Sequence, residues 1–285
     1  MIRVGAPFLL MIAVAVGCGG PEKELPRDVS ISTNRGNDDP VVADAIPQKS
    51  EAEAVKFVDK CLAAVTDGHP EKLDRAKVVR QSARGKWRWE TGELSGATRE
   101  FQGVWPDRAR VALDFDSDRI KQFLFLCRGN DVAAYQNAGM GLNQSPRSEE
   151  LSEQVRIEVM GEIWLPSLVP LRDPTAVVFG VKKEPAAGTK TIRSVKIAIG
   201  KYPVFTLGID EATNLPVAIT YSNLEFGSRV FKTVILGEYK AFDGLKLPTE
   251  IEVRRGDVSA QIWTVGSWEF PGRINDAVFE QVGKK

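Results

Sequence analysis

Few side chains in this sequence are of types that do chemistry, and their spacing speaks against catalysis. There is a single histidine, His69, beside Pro70 and directly after Gly68. A residue following a helix-ending glycine is expected in an exposed turn, and any Ser-His-Asp or Cys-His machinery would have to be assembled around it. No Gly-x-Ser-x-Gly elbow is present. Asp114, Asp116 and Asp118 have the spacing of the first calcium ligands of an EF-hand. Arg119, however, stands where that loop requires glycine and Phe125 where it requires glutamate, so a hairpin turn is expected there and no metal. Gly139 and Gly141 lack the third glycine and the strand-to-helix setting of a nucleotide loop. The residues therefore point to a protein that is not an enzyme and carries no cofactor.

Apolar surface is what the sequence does offer. It has six tryptophans and thirteen phenylalanines. Trp87 and Trp89 share one strand face; Trp105, Phe123, Phe125, Trp164 and Trp263 lie on other elements and could line one cavity with them. Aromatics at strand spacing also simply fill cores, and a cavity holding an acyl chain would be lined by the same residue types. Cys61 and Cys127 could pair in an oxidising compartment, closing a long loop worth roughly 4 kcal/mol in the chain-entropy model. The alternative is two separate buried thiols, since Cys61 lies on a helix stripe and Cys127 on a strand that ends buried.

These residues are carried on a pattern that is mostly β. From 192 to 279, apolar and polar residues alternate with a period of two, broken by turn signals every eight to twelve residues, including Gly227, Asp243-Gly244 and Gly256-Asp257. Similar alternation begins near Val78, and residues 120–127 become apolar on both faces, as in a central strand. Residues 139–144 read as a loop. Two helices interrupt the strands. Ser50 to Glu53 forms a capping box ahead of Ala54, Val55, Val58, Cys61, Leu62 and Val65. Ser145-Pro146 opens the second, with Leu151, Val155, Val159 and Ile163 in one stripe. About ten strands in hairpin order predict an α+β fold: one highly curved antiparallel sheet, a half-barrel with amphipathic helices on its concave side.

The N-terminus reads as an export signal. Residues 1–17 combine Arg3 with an apolar run and small residues, too short to span a bilayer. The sequence AVGC at 15–18 has the form of a lipobox that would make Cys18 the acylated first residue of the mature chain, a stable anchor. By its resemblance to enterobacterial sorting signals, Gly19 in place of aspartate is expected to favour the outer membrane. Residues 18–49 lack apolar periodicity and read as a disordered tether, leaving 50–285 as one folded domain. Thirty-eight basic and thirty-eight acidic residues cancel, which gives no reason to expect nucleic acid.

In this order, the stretches GVWPDRAR at 103–110, IWLPSLVPL at 163–171, GIDEATNLP at 208–216, FDGLKLPT at 242–249 and INDAVF at 274–279 resemble the LolA/LolB lipoprotein-sorting half-barrels, and more closely the planctomycete-type proteins of that kind. The likeness runs over nearly all of 55–279. It implies binding of an apolar ligand, an acyl chain or the lipid moiety of another protein, at the cell envelope. The alternative from another class is an envelope module that binds or regulates a protein partner and carries no lipid.

Overall fold

The structure, a computed structural model, describes residues 45–184, 191–225 and 227–280. The signal at 1–17, Cys18 and the tether up to residue 44 lie outside the described residues. Thirteen strands form one antiparallel sheet: β1 (Val78–Arg88), β2 (Leu94–Val104), β3 (Arg108–Phe115), β4 (Gln122–Arg128), β5 (Asp131–Asn137), β6 (Leu142–Gln144), β7 (Ala176–Lys183), β8 (Ile192–Ile199), β9 (Phe205–Asp210), β10 (Pro216–Glu225), β11 (Ser228–Phe242), β12 (Leu245–Arg255) and β13 (Val258–Glu269). Their order is β6-β5-β4-β3-β2-β1-β13-β12-β11-β10-β9-β8-β7. Hairpin succession thus holds throughout, except that β1 pairs with β13 and joins the two halves. The sheet is not closed. The expected strand number was too low, and the loop expected at 139–144 contains β6, which pairs with β5 through Tyr135 and Gln144.

Among the described residues, three α-helices accompany this sheet: α1 (Ala52–Thr66), α2 (Lys72–Arg75) and α3 (Glu149–Val159). Ala54, Phe57, Val58, Cys61, Leu62 and Val65 of α1 are buried, whereas Val55, expected in the stripe, is exposed. Burying each branched or aromatic side chain of that face stabilises by about 1.5–3 kcal/mol, which is what holds α1 on β7 and β12. The capping box does not form. Glu51 takes the N-cap position without a side-chain bond, and Ser50 Oγ instead accepts the Val178 N–H of edge strand β7 at 3.1 Å. Glu51 reaches the same edge twice, its N–H donating to Val178 O at 3.0 Å and its carboxylate accepting from Gly180 N–H at 2.8 Å. Edge protection outcompetes capping here because β7 otherwise ends the sheet with bare backbone groups.

The second helix begins three residues later than expected. Ser148 is its N-cap, its hydroxyl accepting from Leu151 N–H at 3.0 Å. The helix then changes pitch: Met160–Trp164 is a π-helical turn, followed by 3-10 turns at Leu165–Ser167 and Val169–Arg172 around Leu168 at φ 60°. A backbone carbonyl and a side chain of this helix reach far-separated strands. Gln154 O accepts from Asn223 of β10 at 3.2 Å, and Arg156 donates to Asn130 beside β5 at 3.0 Å. Strands β5 and β10 are eight positions apart in the order, about 38 Å on a flat sheet at about 4.8 Å per step. One helix about 10 Å across can touch both only because the sheet is bent around it.

Cys61 and Cys127 are both free and buried, so the bridge left open by the sequence is not formed. Burial pushes the Cys61 thiol far up. It raises Cys127 to about 12, with Arg156 opposing it only in part. Both are therefore neutral thiols at physiological pH and poor nucleophiles. In a Cys18→Ser protein, Ellman's reagent should leave both unmodified in the native state and label both after denaturation; rapid native labelling, or a missing thiol in denaturant, would contradict this arrangement.

Candidate functional site

The aromatic residues singled out by the sequence are brought to three places rather than one. Trp87 and Trp89 at the end of β1, Phe115 of β3, and Phe123 and Phe125 of β4 make a continuous ring cluster. Its centroid separations are 4.9 Å for Trp89–Phe115, 5.6 Å for Trp87–Phe115, 5.3 Å for Phe115–Phe123 and 6.1 Å for Phe123–Phe125. Phe115 is buried, but the other four are only partly so, and they pack against the main core from its rim. Trp89 is tied by its indole N–H, which donates to Ser95 Oγ at 2.7 Å. Phe115 completes the cluster and was not singled out from the sequence, although it continues the alternation Ala109, Val111, Leu113 along β3.

Trp105 and Trp164 sit deeper, edge to face at 5.3 Å, with Phe101 against Trp164 at 5.4 Å. Gly103 makes room for them: a Cβ there would stand 2.6 Å from both the Phe101 and Trp164 rings. Trp263 is fully buried in a third place, beneath the Arg99 guanidinium at 4.8 Å, its indole donating to Gln261 at 2.8 Å. Side chains packed this tightly build core rather than line a cavity. Two polar clefts lie elsewhere. One, of about 330 Å³, lies at the start of α3; the other, of about 520 Å³, is bounded by Arg80, Ser82, Glu100, Gln102, Ser267 and Glu269 on β1, β2 and β13.

Between α3 and strands β10 to β12 the interior holds a charge cluster that sequence reading missed. Lys232, 1% exposed, lies 2.6 Å from Glu158, 2.6 Å from Glu225 and 3.8 Å from Glu162. Arg255 approaches Glu225 at 3.2 Å, Tyr221 O–H donates to Glu162 at 3.1 Å, and Gln154 donates to Glu158 at 3.1 Å. Gly161 in the π-helical turn allows the tyrosine this close, since a Cβ there would lie 2.5 Å from its ring. Arg99, buried on β2, donates to Gln81 at 3.0 Å. A signal existed for two of these residues. Lys232 shares its strand parity with Val234 and Leu236, and Arg99 shares its own with Ala97 and Phe101, so each is a cation on an apolar row.

Burial and charge set the protonation of this cluster. Burial works against the Lys232 ammonium, but Glu158, Glu162 and Glu225 outweigh it and hold its pKa above the ordinary range. Burial likewise lifts Glu158, yet Lys232 and the Gln154 amide overcome it and leave its carboxyl below the ordinary range. Glu162 gains less from Lys232; burial and the Glu158 charge raise it. Tyr221 is driven well up, first by burial and then by Glu162, so it remains a hydrogen-bond donor. Burial draws Arg99 down to about 10, which leaves it cationic. The cluster contains no activated nucleophile and can fix α3 to the sheet electrostatically. Lys232→Met should cost about 3–5 kcal/mol by leaving buried carboxylates uncompensated, read as a fall in the denaturation midpoint. Glu162 has a raised folded-state pKa, so its contribution is complete below its unfolded pKa and is lost as pH rises through the folded one. Glu162→Gln keeps an acceptor for Tyr221 and should gain in Tm relative to the parent as pH rises from about 4 toward 7; a constant difference would show that Glu162 does not titrate in this way.

No family model matches the sequence, and no curated protein matches it. Among solved structures, a LolA superfamily protein from Nitrosomonas europaea superposes with a TM-score of 0.52 at 10% identity, over 80% of this chain and 97% of that one. A DUF1329 family protein from Desulfovibrio piger gives 0.49 at 12% identity, over 81% and 99% of the two chains. A domain named for outer membrane lipoprotein sorting, from Vibrio parahaemolyticus, gives 0.44 at 10% identity, over 80% and 96%. Identities this low speak to architecture alone, and the first superposition carries it: this chain shares the fold of that Nitrosomonas protein.

Proposed function

We propose that this is a non-enzymatic cell-envelope protein, anchored through an acylated Cys18 and standing off the membrane on residues 18–49, whose bent sheet acts as a half-barrel that binds an apolar ligand. The ligand is an acyl chain or the lipid moiety of another protein, and its site is the aromatic rim formed by Trp87, Trp89, Phe123 and Phe125 around Phe115. One observation carries this reading: here a connected set of aromatic rings, packed against the main core, remains partly open to solvent. Aromatic rings in contact with one another present a large, rigid apolar surface at low entropic cost to a ligand. Trp105, Trp164 and Trp263 are buried and tightly packed, and as floor of the core they stand outside the proposed binding site. The fold shared with a LolA superfamily protein supports the reading, as does the lipobox sequence. A place in the outer membrane and a role in lipoprotein sorting belong to the same proposal.

Titration with the neutral fluorophore N-phenyl-1-naphthylamine, read as probe emission and as tryptophan quenching, tests the site. Trp89→Ala and Phe123→Ala should each weaken binding by about tenfold, the scale of about 1.4 kcal/mol, and decanoate should displace the probe. Equal binding by parent and both variants, or no binding at all, would remove the rim as the ligand site.

A further inference from the structure

Two hairpin tips that are far apart in the sheet meet beside the start of α3. Asn130 belongs to the β4–β5 turn and Lys201 to the β8–β9 turn. Counted from one edge, β5 and β4 are second and third in the sheet and β9 and β8 eleventh and twelfth. Nine steps would separate the tips by about 43 Å if the sheet were flat. Antiparallel strands an odd number of positions apart also end at opposite margins of the sheet. An accumulated twist of roughly 20–25° per strand, about 200° over nine steps, reverses that and lets the tips come together.

Contact is made through cations. Lys201 Nζ donates to Asn130 Oδ1 at 2.5 Å, and Arg156 Nη1 of α3 donates to the same oxygen at 3.0 Å. Two positive charges thus converge on one neutral amide oxygen, which accepts one hydrogen bond from each and brings no negative charge of its own. Arg147 lines the same cleft of about 330 Å³; its ion pair to Asp131 is a loose one at 4.0 Å, and its side chain is 51% exposed. Against these three cations the cleft wall carries two carboxylates, Asp131 and Glu149, with the Ser148 and Ser152 hydroxyls between.

We propose that this cleft is a binding site for a phosphate-type oxyanion, with Arg156 and Lys201 exchanging the neutral Asn130 oxygen for charged ones and Arg147 closing the third side. Hydrogen bonds from cations to an anion are about twice as strong as those to a neutral acceptor, and a guanidinium matches two phosphate oxygens with its fork. Seating an anion there also cancels the repulsion between two cations that the fold holds together. The oxyanion can belong to free phosphate or to the phosphodiester of a lipid headgroup, which share this chemistry. The inference does not depend on the apolar-ligand reading, because the rim and the cleft have no residue in common.

The test has two arms, both on the full chain carrying Cys18→Ser, so that no acyl anchor pellets it. In the first, inorganic phosphate is compared with chloride at equal ionic strength by thermal denaturation. Phosphate should raise the Tm of the parent, and Arg147→Gln and Lys201→Gln should each weaken the apparent affinity by about tenfold. Lys56→Gln, an exposed change on α1, should leave it unaltered. In the second arm, co-sedimentation is measured with phosphatidylcholine vesicles with and without phosphatidylglycerol. Pelleting that requires the anionic lipid and falls in the two cleft variants assigns a headgroup; phosphate-specific stabilisation without that dependence assigns free phosphate. Arg147→Gln removes only an exposed side chain with a loose ion pair, so its result stands even if Lys201→Gln perturbs the tips. If neither arm responds to the cleft variants more than to Lys56→Gln, the site does not exist.

Discussion

One face of a sheet thirteen strands wide has to be covered by very little helix, and the rest of the structure follows from that constraint. The helical segments α1, α2, α3 and the turns after α3 cannot spread over a flat sheet of that width. The sheet therefore bends until strands eight positions apart reach the same helix. Bending brings inward-facing rows together into one large apolar cluster that includes α1, α3 and strands from both halves. Such a sheet cannot remain flat in any case, since a right-handed twist accumulates from strand to strand.

Covering is not uniform, and its gaps give the molecule its distinct surfaces. Over β10 to β12 the cover is α3, held by Lys232 and its carboxylates; burying the Lys232 ammonium is tolerable only because Glu158 and Glu225 stand 2.6 Å from it. Where the helices do not reach, at the rim of β1, β3 and β4, the rings of Trp87, Trp89, Phe123 and Phe125 stay partly open. At the far flanks the two hairpin tips meet, and there the contact is made by exposed cations rather than apolar side chains. The edges are managed separately: β7 is capped by Ser50 and Glu51, and β6 is only three residues long. Either device discourages the addition of a further strand.

The π-helical turn at Met160–Trp164 connects these surfaces. It ends α3, places Glu162 beneath Tyr221, and points Trp164 into the Phe101–Trp105 group. Leu168, buried at φ 60°, follows within one further turn. A change of pitch and a left-handed leucine so close together are conformations that cost energy by themselves and persist only where packing over-determines them. That segment is therefore where the ion cluster and the aromatic core constrain each other.

How much of this was legible differs from element to element for physical reasons. Period-two alternation and turn dipeptides such as Asp243-Gly244 are local, so hairpin order, the α+β class and the two main helices could be read from the sequence, and the order of short motifs led to the fold. What depended on pairs distant in the chain could not. Ser50 was free to cap a helix in the sequence but met a bare strand edge in the fold. Cys61 and Cys127 had suitable neighbours for either fate, and only their packing left them as separate thiols. The seven aromatic candidates carried no mark of which were rim and which were floor, because ring type is the same on both sides of that boundary. Lys232 and Arg99 stood on apolar rows, a visible anomaly, but their partners Glu158, Glu162 and Gln81 were named by nothing along the chain. Local patterns thus determined which elements form, while the bending of the sheet, a property of all thirteen strands at once, decided which side chains meet.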